Sequence, residues 1–315
     1  MKTSLLHSLT LVKNNILITG GSGLLGVNLA IKLRNIFNVF LLINKRYIVI
    51  ENTKNIRLNL FKTNELNNFV KQNNIKFIIN TIALTDVDLC EKNKSNAKKI
   101  NAELTKKIAK ICKKQKIKII HISTDQLFNG KKKLMNERSK PNPINHYGKT
   151  KLLAEKYIKK FSKNFLIIRT NFFGVGTSYR RSYSEYIMYN VNKGKVIKLT
   201  DDIFFTPISI YLLIDILMKL IIQNKKGIFN IVGNERISKY QFGKIIAKEF
   251  NLNQKFIYKI KSVYNKKNAL RPKDMSLSNE KIKNNLNIKI PSIKNQIKYI
   301  KTIYQNKKNF DIFKL

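Results

Sequence analysis

The sequence predicts an α/β fold, a doubly wound parallel sheet with a smaller C-terminal lobe. An apolar segment, Asn15-Ile-Leu-Ile-Thr19, runs straight into Gly20, Gly21, Gly23 and Gly26, and apolar strand patterns alternate with helical ones through the first half. A loop holding Gly130, Pro141 and Pro143 follows the fifth of those strands, where such sheets build their binding crevice.

The first strand covers residues 15 to 19, and Leu25, Leu29 and Leu33 recur every four residues in the helix after the glycines. Further strands are expected near 38 to 43, 57 to 60, 76 to 82, 117 to 123 and 164 to 170, with helices between most of them. After Thr170 the pattern is less regular. It gives a helix near 182 to 193, a core helix over Ile208 to Ile222 capped by Ser209 after Pro207, a strand near 227 to 232, and helices after Ser238 and Pro291. Residues 1–170 plus about 206–232 form the expected nucleotide-binding part, and about 171–205 plus 233–315 the second lobe. No internal repeat or low-complexity linker separates them, so both are expected in one compact body.

A chain of 315 residues buries a large core. Cys90 and Cys112 are too few for a disulfide framework and lack C-x-x-C spacing, which fits free thiols in a reducing cytoplasm. His7, His121 and His146 form no metal-ligand cluster, so no metal is expected. Met1 to Val12 has neither a basic n-region of substance nor a cleavage site and reads as a short extension, and Asp215 and Lys219 interrupt the longest apolar run, so no membrane partner is expected. The net charge of +44 raises the question of nucleic acid. Its lysines are spread over every segment beside abundant Asn and Ile, the residues of A/T-rich codons, and only Lys131-Lys132-Lys133 forms a block, so no nucleic-acid partner is expected.

Glycines in the Gly20 to Gly26 loop allow a tight turn, close approach of a pyrophosphate to bare backbone, and a helix N-terminus with unpaired N–H groups facing the anion. The candidate cofactor-binding residues here are Gly20, Ser22, Gly23, Leu24, Leu25 and Gly26. At the end of the second strand, where a carboxylate would bind the ribose hydroxyls of NAD, the chain has Asn44-Lys45-Arg46; Lys45 and Arg46 favour NADP(H) over NAD(H). Ser123 and Thr124 sit where the fifth strand ends, and Tyr147 and Lys151, four apart on one helical face, follow across the loop. Thr124 would orient a carbonyl, Tyr147 would donate its proton, and Lys151 would hold the nicotinamide ribose and favour phenolate, with the cofactor supplying hydride. Tyr-x-x-x-Lys occurs four times, at Tyr147, Tyr189, Tyr240 and Tyr304; only Tyr147 follows a strand-end Ser-Thr and an upstream glycine cradle.

Several segments resemble the extended short-chain dehydrogenases, and within them the dTDP-4-dehydrorhamnose reductase group, also termed RmlD-like. They are Thr19-Gly-Gly-Ser-Gly-Leu-Leu-Gly26, Asn80-Thr-Ile-Ala-Leu-Thr-Asp-Val-Asp88, Ser123-Thr-Asp125, Tyr147 to Lys151, Arg169-Thr-Asn-Phe-Phe-Gly174, and Arg271-Pro with Ser276-Leu-Ser-Asn279. The resemblance implies a Rossmann fold with a C-terminal substrate-binding lobe and reduction of the 4-keto group of a nucleotide-activated 6-deoxysugar, for surface polysaccharide. It implies that Ile82, Ala83, Leu84, Asn59 and Leu60 line the cofactor, that Asn101 supports the active site from its helix and borders the cofactor, and that Asp125 and Phe172 contact substrate. Tyr147 and Lys151 would also touch the cofactor, and a homodimer is among the expected assemblies.

Two positions depart from the family pattern. The aromatic residue usual after Ser-Thr-Asp is Gln126, and Phe172 replaces a frequent tryptophan, which leaves the sugar open. Nucleotide-sugar 4,6-dehydratases carry Thr-Asp-Glu there, and a glutamine cannot serve as the carboxylate that elimination needs. A nucleotide-sugar epimerase of the same superfamily and a non-catalytic dinucleotide-binding regulatory subunit stand as alternatives.

Overall fold

The computed structural model describes residues 13–263, 268–306 and 312; the expected extension over Met1 to Val12 lies outside them. The first half runs β1 (Asn15–Thr19), α1 (Leu24–Leu33), β2 (Asn38–Leu42), β3 (Thr53–Ile56), α2 (Thr63–Gln72), β4 (Ile75–Asn80), α3 (Val87–Lys92) and α4 (Lys94–Lys98). A π-helical turn at Lys99–Glu103 leads into α5 (Leu104–Lys114), then β5 (Lys118–Ile122), α6 (His146–Phe161) and β6 (Phe165–Arg169). The remainder comprises β7 (Phe172–Phe173), α7 (Tyr183–Asn192), β8 (Ile197–Thr200), β9 (Phe204–Phe205), β10 (Ile208–Ser209), α8 (Ile210–Ile222) and β11 (Gly227–Asn230). It closes with β12 (Ile237–Ser238), α9 (Lys239–Glu249), β13 (Ile257–Ile260), α10 (Glu280–Leu286) and α11 (Ile293–Gln305).

Seven strands form one sheet in the order β11-β6-β5-β4-β1-β2-β3, with every pair parallel. From β1 the chain first builds outward through β2 and β3, then returns to the other side for β4, β5 and β6. The strand order therefore reverses between β1 and β4, and a crevice opens beyond their carboxyl ends.

Among the strand expectations, the third is corrected. The segment 57 to 60 is not a strand, and β3 lies four residues earlier, pairing Ile56 with Leu42. Ile56, Leu58 and Leu60 alternate like a strand, yet Leu58 and Leu60 pack onto the core from a turn in which Lys62 N–H donates to the Asn59 carbonyl at 2.9 Å. The Ile208 helix begins two residues later than expected, with Ser209 capping Leu212 N–H as foreseen.

The core is continuous from Ile16 and Leu29, through α8, to Ile300 and Ile303 of α11, so the later segments pack directly on the sheet layer. Two close approaches position the site. A Cβ on Gly26 would lie 2.3 Å from the Gly20 carbonyl oxygen, and Gly20 itself has φ +74, so α1 starts hard against the turn after β1. A Cβ on Gly148 would lie 2.3 Å from the Gln126 carbonyl, which presses the first turn of α6 onto the loop after β5. Gly26→Ala is expected to force the cradle apart and weaken dinucleotide binding by roughly tenfold or more, about 1.4 kcal/mol at least, as titrated by NADPH fluorescence.

Candidate active site

Tyr147 lies in the first turn of α6, whose N-cap Asn145 accepts from Gly148 N–H at 2.8 Å. Asn145 is itself held by the Gln126 side-chain carbonyl at 3.0 Å and the Leu270 carbonyl at 2.9 Å, so the glutamine that departs from the family pattern anchors the helix start. The Tyr147 ring packs among Val87, Cys90, Ala97 and Ala269, and the Thr124 side chain beside its phenol favours the ionised form. Burial pushes the phenol above its ordinary pKa and outweighs the opposing pull of Thr124, so Tyr147 carries its proton through the physiological range.

Successive turns of α6 place Lys151 and then Glu155 below Tyr147. Lys151 is 2% exposed, its Nζ donates to the Ile122 carbonyl at 2.6 Å, and it lies 3.2 Å from His121 Nε2. Burial draws its pKa down to about 8, against the opposing pull of Glu155. Glu155 is fully enclosed: Arg169 Nε and Nη2 grip its two oxygens at 3.0 and 2.8 Å, and the Ser123 hydroxyl donates to it at 2.7 Å. This strut ties α6, β6 and the end of β5 together immediately beside Thr124.

Asp125 is buried, and burial raises its pKa despite hydrogen bonds from Asn171 Nδ2 at 2.5 Å and the Thr124 hydroxyl at 3.2 Å. Lys239, at the start of α9, faces it as a counter-charge, with Nζ 3.5 Å from the Phe205 ring centroid and 4.7 Å from that of Tyr183. Phe172 is half-buried in β7 and packs against the main core. Asp125 therefore belongs to the network around Thr124, and the half-exposed Phe172 ring rests on the core.

The expected cofactor residues fall along the crevice. Gly23 caps α1 without a side chain, so the N–H groups of the first turn at Leu24, Leu25 and Gly26 have no side-chain acceptor, and Ser22 completes the loop. This bare, positively polarised turn fits a pyrophosphate. Lys45 and Arg46 are exposed just past β2; Arg46 lies 4.0 Å above the Tyr179 ring, and the Tyr179 hydroxyl donates to the Ser22 carbonyl at 2.9 Å. Asn101, on the π-helical turn, accepts from Leu84 N–H at 2.7 Å and donates to the Leu84 carbonyl at 3.1 Å and Thr150 at 3.0 Å. It thus fixes the Ile82-Ala83-Leu84 loop against α6. Asn59 accepts from Phe61 N–H within its own turn at 3.0 Å, and Leu60 packs on the core.

Sequence reading passed over His121, the Glu155–Arg169 strut, Lys239 and Tyr179. Their signals are spacing: His121 shares a face of β5 with Ser123 two residues on, and Glu155 continues the fourfold step from Tyr147 and Lys151. The late motif is a clip. Arg271 Nη1 and Nη2 donate to the two Asp88 oxygens at 3.0 and 2.7 Å, Ala269 N–H adds a bond at 2.9 Å, and these hold the Asp88 carboxyl below its ordinary pKa. Among the described residues no His, Cys, Asp and Glu cluster could hold a metal, and no helix is long and apolar enough to cross a membrane.

A parallel sheet with its glycine turn at the point of strand reversal, and a Tyr–Lys helix beside it, is the architecture of the extended short-chain dehydrogenases. Within that class the chain belongs to the RmlD substrate binding domain family, whose model matches residues 14–306. A hypothetical dTDP-4-dehydrorhamnose reductase from Sulfolobus tokodaii shares 33% identity at a TM-score of 0.77, covering 88% of this chain and 96% of that one. The dTDP-4-dehydrorhamnose reductase of Escherichia coli is 26% identical over 68% of this chain and 75% of its own length. The probable low-salt glycan biosynthesis reductase Agl14 of Haloferax volcanii is 28% identical over 55% of this chain, a match that spans 59% of that relative.

Proposed function

We propose that this protein reduces the 4-keto group of a nucleotide-activated 6-deoxysugar with NAD(P)H, NADP(H) being favoured, in the assembly of a surface polysaccharide. The observation that carries this reading is the convergence of Thr124 and Tyr147 beyond the strand ends, with Lys151 one turn behind and the glycine cradle alongside. The names of the relatives agree: the Escherichia coli and Haloferax volcanii proteins are both reductases. The division into a nucleotide-binding part (1–170 plus about 206–232) and a substrate lobe (about 171–205 plus 233–315) belongs to the same proposal.

A nicotinamide dinucleotide, when bound, supplies hydride to the carbonyl carbon. The chain's own residues supply the rest: the Leu24 to Gly26 backbone holds the pyrophosphate, Thr124 orients the carbonyl oxygen, and Tyr147 gives that oxygen its proton, leaving an alcohol. A buried phenol that retains its proton at neutral pH suits an acid in this direction. Arg46 and Lys45, past β2, would accept the 2′-phosphate that distinguishes NADP(H).

The test is NADPH oxidation by purified protein given dTDP-4-dehydro-6-deoxy sugars, with NADH in parallel. Turnover is expected with at least one sugar. Absence of net oxidation with all of them would overturn the reading, and cofactor retained through purification would then point to epimerisation. Arg46→Asp is expected to reduce kcat/KM for NADPH by about tenfold or more while NADH is affected less, because a carboxylate repels the 2′-phosphate and accepts ribose hydroxyls.

A further inference from the structure

Tyr179 joins two pieces of the crevice that come from distant parts of the chain. Its hydroxyl donates to the Ser22 carbonyl in the glycine turn at 2.9 Å, across 157 residues of sequence. Its ring carries the Arg46 guanidinium, from just past β2, at 4.0 Å from the centroid. Tyr179 itself belongs to neither piece and lies in the segment between β7 and α7.

The hairpin that presents Tyr179 is held at its base. Arg180 N–H donates to the Thr177 carbonyl at 3.1 Å, and a Cβ on Gly176 would lie 2.0 Å from the Arg180 carbonyl oxygen, so the chain folds back on itself too closely for a side chain there. Glu185 Oε2 accepts from Gly176 N–H at 2.8 Å and from Ser182 N–H at 2.7 Å, one oxygen clasping both ends of the hairpin. The Tyr304 hydroxyl of α11 donates to Glu185 Oε1 at 2.6 Å, and Asn28 Nδ2 of α1 donates to the Val175 carbonyl at 3.1 Å. Tyr179 is thus delivered from a fixed base.

Arg46 is exposed, and among the described residues its N–H groups bond to no acceptor and form no ion pair. A guanidinium stacked by its face keeps its edge donors free, and that edge grips a phosphate through paired N–H bonds. A lone surface arginine gives up its rotamer freedom when it binds an anion, and a ring that already holds it flat removes much of that loss. The bond to Ser22 keeps the same ring in register with the turn whose bare N–H groups suit a pyrophosphate. We propose that Tyr179 is a positioning residue for cofactor choice, holding the Arg46 guanidinium with its edge open to the 2′-phosphate of NADP(H). This rests on the reading of Arg46 given above, and it makes selection of the dinucleotide depend on the segment after β7 as well as on the end of β2.

The experiment is fluorescence titration of the full chain with NADPH and with NADH, which differ only in the 2′-phosphate, in the absence of any sugar. Wild type, Arg46→Met, Tyr179→Leu, Tyr179→Phe and the double variant Arg46→Met/Tyr179→Leu are compared, each with a melting curve that establishes its fold. Tyr179→Leu is expected to weaken NADPH by about five- to tenfold while NADH stays within about twofold. Tyr179→Phe, which keeps the ring, should lie within about threefold of wild type. In the Arg46→Met background Tyr179→Leu should change NADPH affinity by less than about twofold, because its effect runs through the arginine. An unchanged NADPH to NADH ratio in folded Tyr179→Leu, equal losses for both dinucleotides, a phenylalanine as weak as leucine, or a full loss persisting without Arg46 would each overturn the proposal. Equal binding of the two by wild type, or a ratio unmoved by Arg46→Met, removes the reading of Arg46 and the proposal with it. A ratio that falls in Arg46→Met and holds in Tyr179→Leu removes the proposal alone. Binding is read without turnover, so the reductase reading is decided separately.

Discussion

Tyr147→Phe is expected to lower kcat for NADPH-dependent reduction by about 10²- to 10⁴-fold, the usual worth of a positioned general acid, while leaving dinucleotide affinity within about threefold. The substitution removes only the hydroxyl. A phenylalanine ring fills the same space among Val87, Cys90, Ala97 and Ala269, and such a volume-conserving swap costs under about 1.5 kcal/mol of stability. A melting curve close to wild type, measured beside kcat and KM, separates lost chemistry from lost fold. Full activity in the folded variant would remove Tyr147 from the mechanism and with it the reductase reading.

The second large effect is on stability. Arg169→Met is expected to destabilise the protein by about 3–5 kcal/mol, because it leaves the Glu155 carboxylate enclosed at 0% exposure without its cation. Urea unfolding should show a lower midpoint with little change in slope. Glu155→Gln combined with Arg169→Met should recover part of the loss, since the stranded charge is then gone. Equal unfolding midpoints for wild type and Arg169→Met would show that the strut contributes nothing. Because Ser123 also bonds to Glu155, the single variant should lose activity through a displaced Thr124 before it unfolds.

Much of the fold was legible because its signals are local. The glycine turn, the Leu25, Leu29, Leu33 stripe and the strand patterns around β1, β4, β5 and β6 depend on neighbours in sequence, and each lies where its pattern put it within a residue or two. The third strand failed for the same reason: Ile56, Leu58 and Leu60 alternate, but β3 is fixed by pairing with β2, which only the tertiary fold decides. In the site, Thr124, Tyr147 and Lys151 were recognisable from their order along the chain. His121 and Glu155 were not, since a histidine on a strand and a glutamate on a helix look ordinary until β5, α6 and β6 bring them face to face. Asn59 and Leu60 were carried over by resemblance, and their side chains make a local turn bond and core contacts.

The Arg271–Asp88 clip, with Ala269 packed at Tyr147, spans 183 residues of sequence. During synthesis at about 5–20 residues per second, roughly 10 to 40 s separate the emergence of these two partners. Over that interval the nascent chain can assemble its cradle and sheet strands, yet the wall beside Tyr147 is still missing. The dinucleotide groove is therefore expected to mature before the catalytic pocket, and a chain stalled short of Ala269 would bind a nucleotide without enclosing the tyrosine.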